Sequence, residues 1–277
     1  MKILSLDGGG INGLLQASIL DQLKINPADY DLIAGTSVGA INAAGLRIGM
    51  TPLELMSLYV VHGREIFPPY WKRAITGRPL AGLIRAKYSN GPIKQILRQY
   101  FKDELIGNVD KPLIVCAADQ VDGDFVVIKS YEHYSMLLRE AILASASAPV
   151  YFPSDGRYID GGIAANHPGD VAVAEAIRKF GAKISDIEIT SVGTGYSYDA
   201  PKWYEEGLGA LPFGLQALEM IMRTQVRKTH QTLRRILGPK YKRYNAEYRK
   251  ASGKMDDASE DNINALLSDS AQFTEEV

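Results

Sequence analysis

The chain has 277 residues, of which 46% are hydrophobic, and a formal net charge of −1. This length and composition fit one large domain with a substantial core. The single cysteine, Cys116, excludes a framework of intrachain disulfides, and the lack of any apolar run of about eighteen residues excludes a membrane-spanning helix.

Strands and helices are predicted to alternate along the chain, which is typical of a largely parallel sheet between helical layers. Strands are predicted near residues 2–6, 31–35, 112–119, 125–129, 157–160 and 186–192. Helices are predicted near residues 11–24, 38–49, 52–62, 92–101, 135–146, 168–180, 214–236 and 258–268. The predicted fold class is therefore α/β, a three-layer sandwich with a mainly parallel central sheet.

The first predicted strand runs into a glycine cluster, residues 7–13, that opens a helix. The cluster matches the G-x-G-x-x-G pattern of dinucleotide sites. Such a site needs an acidic residue where the second strand ends, and Asp31 stands where that strand begins. The alternative is an oxyanion hole, in which the N–H groups of Gly8, Gly9 and Gly10 point at one oxygen.

The second predicted strand ends in G-T-S-V-G, residues 35–39, and an alanine-rich helix follows. A strand, a sharp turn and a helix with serine at the apex are typical of a nucleophile elbow. At Gly35 and Gly39 a Cβ would collide with the neighbouring strand or helix. The motif predicts Ser37 as a nucleophile at a helix N-terminus, whose partial positive charge suits a developing oxyanion.

A serine nucleophile needs a base, and the sequence offers two kinds of candidate. Of the four histidines, His167 has the best context, because it follows Asp160 by seven residues and precedes a proline at a predicted helix start. Its alternative role is that of a packing residue. Asp160 itself follows a predicted hairpin, residues 151–159, and stands in a D-G pair that also suits an ordinary turn.

No metal centre or cofactor is predicted. The chain contains neither an H-E-x-x-H motif nor paired Cys/His spacing. The D-G-D sequence at residues 122–124 is too short for a calcium loop, and a hairpin turn is predicted there instead.

Two segments concentrate positive charge. Residues 64–102 carry nine Lys or Arg against one acidic residue, and residues 223–254 carry eleven against one. Each fits a solvated helix face, but together they predict a surface that attracts anionic phospholipid headgroups. The proline-rich aromatic stretch at residues 64–90 suits either a lid at a lipid interface or a packed surface loop. A nucleic-acid partner is not predicted, because the isoelectric point is only 6.4.

In combination, these motifs resemble the patatin-like phospholipases, lipid acyl hydrolases that use a Ser-Asp dyad in place of a Ser-His-Asp triad. The resemblance runs from about residue 2 to about residue 265. Four further segments carry it: residues 144–152, 166–168, 191–195 and 255–259. The chain departs from the family at Asn12, where many members have arginine, and at His167, which breaks an asparagine pair before a proline.

The resemblance implies that Ser37 is the nucleophile, Asp160 the base and Gly8, Gly9 and Gly10 the oxyanion hole. It implies hydrolysis of fatty-acyl esters of phospholipids or lysophospholipids through an acyl-enzyme, with no cofactor. Two other functions stay open: a catalytically silent module of the same fold that binds lipid or regulates, and a nucleotide-binding α/β protein.

The chain is expected to form one domain over residues 1–277, with a core at about 2–200 and a C-terminal helical extension at about 204–277 that partly covers the site. Its first strand starts too early for a signal peptide, so a cytoplasmic location is expected, with peripheral binding at membranes. The sequence does not determine the headgroup, the acyl position or the oligomeric state.

Overall fold

The computed structural model describes residues 1–69, 86–154, 156–197 and 210–276, apart from the side chains of residues 210–216. The strands are β1 (Lys2–Leu6), β2 (Leu32–Thr36), β3 (Leu113–Asp119), β4 (Phe125–Lys129), β5 (Tyr158–Asp160), β6 (Glu188–Val192), β7 (Tyr241–Asn245) and β8 (Thr274–Glu275). The helices are α1 (Gly13–Gln22), α2 (Val38–Arg47), α3 (Pro52–Ile66), α4 (Gly91–Phe101), α5 (Leu138–Ala146), α6 (Gly162–Ala165), α7 (Gly169–Phe180), α8 (Ala210–Leu237) and α9 (Glu260–Ser270).

The strands form one eight-stranded sheet in the order β4-β3-β2-β1-β6-β7-β8. The central pairs from β3 to β7 are parallel, and β4 and β8 close the two edges as antiparallel strands. Strand β5 pairs antiparallel with the last three residues of β3, beyond the point where β2 ends. Because β1, β2 and β6 run in parallel, their carboxyl ends lie on the same side of the sheet. Open α/β sheets bind their ligands on this side.

Helices cover both faces of the sheet, as the alternating strand residues require. In β1, Leu4 and Leu6 pack into a core with α1, α2, α3, α5 and α9, whereas Ile3 packs into a second core with α7 and α8. The same alternation separates Val115 from Ile114 in β3. The predicted three-layer α/β architecture is confirmed.

The C-terminal part differs from the predicted helical extension. The long helix α8 is present, but β7 pairs in parallel with β6 and β8 pairs with β7, so this part completes the central sheet. Strand β7 was missed because Lys242 and Arg243 interrupt its apolar pattern, although Arg243 is buried. The predicted hairpin at 151–159 was also wrong, because Tyr151 lies in a turn and the strand begins only at Tyr158.

Candidate active site

Ser37 occupies the turn between β2 and α2 with φ 54° and ψ −123°, a conformation that costs a non-glycine residue energy. The turn is held closed on both sides by glycines. A Cβ on Gly35 would lie 2.3 Å from the carbonyl oxygen of Gly39, and one on Gly39 would lie 2.2 Å from that of Leu6. A Cβ would therefore collide at both positions, as the sequence predicts.

Asp160 lies beside this serine. Ser37 Oγ donates a hydrogen bond to Asp160 Oδ2 at 2.6 Å, although 123 positions separate the two residues. The other carboxylate oxygen accepts the N–H of Gly162 at 2.7 Å. Strand β5 pairs with the end of β3, and this pairing places Asp160, the last residue of β5, beside the turn that holds Ser37.

Burial changes the acidity of Asp160. Removal from water raises the pKa of its carboxyl to about 6, while the hydrogen bonds from Ser37 and Gly162 act in the opposite direction. A carboxylate with such a pKa is a better match to a proton acceptor at neutral pH than an ordinary aspartate is.

Ser145, at the end of α5, connects the serine to the aspartate segment. Its Oγ accepts the N–H of Ser37 at 2.8 Å and donates to the carbonyl of Cys116 at 2.5 Å. Its own carbonyl accepts the N–H of Gly161. In the sequence, this serine stands out only as part of residues 144–152, one of the segments that carry the family resemblance. The A-S-A-S repeat at a helix end does not indicate which hydroxyl turns inward.

The glycine loop reaches the same place from β1. Gly10, at φ +60°, lines a cavity together with Ser37 and Asp160. Among the described residues, no acceptor is found for the N–H groups of Gly9 and Gly10. The first residue of α2, Val38, adds a third N–H that has no intrahelical acceptor.

Gly8 differs from the prediction. Its N–H donates to the carbonyl of Asn166 at 3.0 Å, and its own carbonyl accepts the hydroxyl of Thr194 at 2.8 Å. This residue is therefore an anchor of the loop in the present structure, and its N–H is not available to an oxyanion. Asn166 was not among the predicted site residues, since a backbone carbonyl leaves no trace in side-chain patterns.

His167 is a packing residue in the interior of the protein. It is fully buried, its Nδ1 accepts the N–H of Gly169 at 3.1 Å, and its Nε2 lies 3.0 Å from the hydroxyl of Tyr241. Burial lowers the pKa of this imidazole well below its usual value, and the Arg243 guanidinium lowers it further. Of its two predicted roles, the structure supports the packing role.

The cavity beside Ser37 is almost entirely apolar. Its walls come from the helices α2, α3 and α8 and from the segment that follows α5. They include Val38, Ile41, Tyr59, Phe67, Phe152 and Met222. An apolar cavity that ends at a serine hydroxyl suits a hydrocarbon chain, because the chain leaves water on entering it.

Only part of the predicted lipid-binding surface is described. Phe67 lines the cavity and contacts the rings of Tyr88 and Phe152, so it packs inward. The remaining aromatic and basic residues of the predicted contact, from Tyr70 to Arg78, lie outside the described residues. In the second basic segment, Arg243 is buried and paired, so it adds no charge to the surface.

The described residues offer neither a metal site nor a membrane-spanning helix. They contain no group of three or more His, Cys, Asp or Glu side chains arranged to hold a metal ion. Residues 122–124 form the turn between β3 and β4, with Arg157 bound to Asp119 and Asp122. Within the same ranges, no helix has both the length and the apolar character to cross a membrane.

Comparison with known proteins gives one family. The family model for patatin-like phospholipases matches residues 4–173. The chain is 30% identical over 259 residues to a cGAMP-activated phospholipase of Pseudomonas aeruginosa, a match that covers 86% of this chain and 76% of that protein. It is 29% identical over 223 residues to a cGAMP-activated phospholipase of Escherichia coli, covering 70% of this chain and 62% of that protein. Among solved structures, VipD from Legionella pneumophila is 12% identical with a TM-score of 0.46, covering 99% of this chain and 67% of that one.

Proposed function

Because the chain belongs to the family of patatin-like phospholipases, we propose that it is a serine lipid acyl hydrolase that cleaves fatty-acyl esters of phospholipids or lysophospholipids. One observation carries the proposal: Ser37 Oγ donates to a buried carboxylate, Asp160, at 2.6 Å at the end of an apolar cavity. A nucleophile, a base and a place for an acyl chain are thereby within reach of each other.

In the proposed reaction, Asp160 accepts the Ser37 proton while Oγ attacks the ester carbonyl. Asp160 then gives this proton to the leaving oxygen, so that the tetrahedral intermediate collapses to an acyl-enzyme and releases the alcohol, which is a lysophospholipid or a glycerophosphodiester. Water then attacks the acyl-enzyme with Asp160 again as base, and the fatty acid leaves. The strained turn at Ser37 places the hydroxyl against the carboxylate before the reaction begins.

The negative charge of the tetrahedral intermediate needs donors that are already in place. We assign this role to the N–H groups of Gly9 and Gly10 together with that of Val38, since Gly8 is already engaged with Asn166. The dipole of α2 points its positive end at the same position.

The acyl chain is proposed to occupy the apolar cavity, and the polar part of the lipid to remain toward the cavity mouth. Binding at a membrane surface, and a cytoplasmic location, are parts of the proposal that follow from this substrate. The basic segments around residues 64–102 and 223–254 supply the attraction to anionic headgroups that such binding requires.

The two other functions are less well supported. A nucleotide site at the glycine loop needs an acid at the carboxyl end of β2, whereas the Asp31 carboxylate accepts the N–H of Lys2 at the amino end of the sheet. A silent module has no need of a serine held in a strained turn against a buried carboxylate.

A fluorophosphonate probe and a lipid panel test the proposal together. Ser37 should be labelled in the parent protein, and phospholipid, lysophospholipid or acylglycerol should be hydrolysed. Ser37→Ala and Asp160→Asn should each reduce hydrolysis by several orders of magnitude, and the double variant by little more, because the two residues act as a unit. Near-normal rates in Asp160→Asn would refute the dyad, and a parent protein with neither labelling nor hydrolysis would favour the silent module. Because both bacterial relatives are named for activation by cGAMP, the panel is run with and without that nucleotide.

A further inference from the structure

We propose that Arg243 is a positioning residue for the glycine loop: from strand β7 it holds Asp7 and so sets the place of the Gly9 and Gly10 N–H groups. The proposal rests on the function proposed above for that loop. It gives strand β7 a role in the chemistry that is exerted through the contact of Arg243 with Asp7.

Arg243 is buried and fully engaged. Its Nη2 donates to Asp7 Oδ2 at 2.6 Å, its Nη1 to Ser191 Oγ at 2.8 Å and its Nε to Glu276 Oε2 at 2.9 Å. These bonds lead in three directions, to the end of β1, to β6 and to the end of the described chain. A planar guanidinium with three fixed partners has a defined position, and so has the carboxylate that it binds.

Asp7 is the residue that turns β1 into the glycine loop. Its N–H donates to the carbonyl of Val192 at 3.2 Å, and its carbonyl accepts from Gln16 Nε2 at 3.1 Å. Backbone and side chain are thus both fixed one residue before Gly8. Gly8, Gly9 and Gly10 have no side chains that could hold them. The anchors on either side, Asp7 before them and Ile11, whose N–H donates to the carbonyl of Met255 at 2.8 Å, therefore determine where their N–H groups point.

Loss of Arg243 would leave the buried carboxylate of Asp7 without its cation. Burial raises the pKa of Asp7, and the Arg243 guanidinium is the main group that opposes this shift. Without its cation, the buried carboxylate either takes up a proton or moves toward water. In either case the Asp7 side chain is no longer held by the bond from Arg243 Nη2, and a displacement of about 1 Å in a catalytic group is enough to cost about a hundredfold in rate.

A purely structural role would predict a different result, and Arg47 provides the matched control. Like Arg243, it is a buried arginine; its guanidinium donates to the carbonyls of Pro27, Tyr30 and Pro112. These residues precede β2 and β3, at the edge of the sheet opposite to the glycine loop. Its replacement should weaken the fold without moving the loop.

The experiment compares Arg243→Met with Arg47→Met in the full chain, well below the melting temperature of each. Both variants should melt earlier than the parent. Only Arg243→Met should lower kcat on a soluble short-chain ester, by about ten- to a hundredfold, with KM nearly unchanged, since the donors act on the transition state. Arg243→Lys should recover part of the rate because it restores a cation.

Hydrogen exchange of residues 8–13 gives a measurement that does not depend on activity. Their amides should exchange faster in Arg243→Met than in Arg47→Met. If the parent hydrolyses no ester, the proposed function fails, while this exchange difference still tests the anchoring. If Arg243→Met does not fold, Arg243→Lys and Asp7→Asn take its place in both measurements. Equal exchange and equal kcat in the Arg243 and Arg47 variants would overturn the proposal.

Discussion

The raised pKa of Asp160 makes a prediction about stability that is separate from catalysis. Folding moves the pKa of this carboxyl from 3.8 to about 6, because the native state buries it. The native state therefore holds the proton more tightly than the unfolded chain does. The contribution of Asp160 to stability is greatest below about pH 4 and is lost as the pH rises to about 6, above which the cost stays constant.

The perturbation is Asp160→Asn, which keeps the shape and removes the charge. The amide can still accept the N–H of Gly162 and meet Ser37 Oγ. A difference of about two in pKa corresponds to about 3 kcal/mol. Relative to the parent, the free energy of unfolding of Asp160→Asn should thus rise by about 3 kcal/mol between pH 4 and pH 7, while hydrolysis is lost.

Urea denaturation of both proteins at about pH 4, 5, 6 and 8 measures this difference, taken from the midpoints and slopes. Asp119→Asn serves as the control of opposite sign. Burial raises the pKa of Asp119, but the bonds from Arg157 and from the N–H groups of Val121 and Asp122 outweigh burial and lower it overall. Because this pKa lies below 3.8, the variant should lose stability relative to the parent as the pH rises toward about 4, and the difference should stay nearly constant from pH 4 to pH 8. A stability difference for Asp160→Asn that does not change with pH would refute the reasoning.

Two further predictions concern the rate. On a neutral soluble ester, kcat/KM should fall about tenfold per pH unit below about pH 6, because the base must be ionised; a rate that stays constant down to pH 4.5 would exclude Asp160 as the base. Ser145→Ala should lower kcat by about ten- to a hundredfold, since the strained turn loses the acceptor of its N–H. Its control is Ser147→Ala, whose hydroxyl donates to the carbonyl of Leu143 one helical turn earlier; equal losses in the two variants would exclude the proposed role of Ser145.

Much of the fold could be predicted from local patterns. Strands β1 and β2 and the helices that follow them carry their own signals, namely an apolar run, a glycine turn and an alanine-rich helix. Strand β7 carries none, because the Y-K-R-Y-N sequence appears polar until a partner for Arg243 is known. That partner, Asp7, lies at the other end of the chain, and no pattern within a short window connects them.

In the candidate site, too, the features set by local sequence were predictable and those set by distant contacts were not. Gly35 and Gly39 were predictable because sharp turns exclude a Cβ, and the turn is local. The engagement of Gly8 by Asn166 was not, since it depends on how two distant loops pack. Asp160 was chosen over His167 by resemblance alone; the residues left both open, and only the three-dimensional arrangement puts one beside Ser37 and the other in the core.

The separations along the chain have a consequence for the order in which the site forms. Ser37 meets Asp160 across 123 positions, and Asp7 meets Arg243 across 236. Contacts between such distant residues form late in folding, because the intervening chain must first give up its freedom. During synthesis Ser37 is made well before both Asp160 and Arg243, the residues that complete these two contacts. Under the proposed function, the anchor of the glycine loop is therefore completed only once strand β7 has been synthesised, so a shortened chain would keep both Ser37 and Asp160 and still lack the full rate.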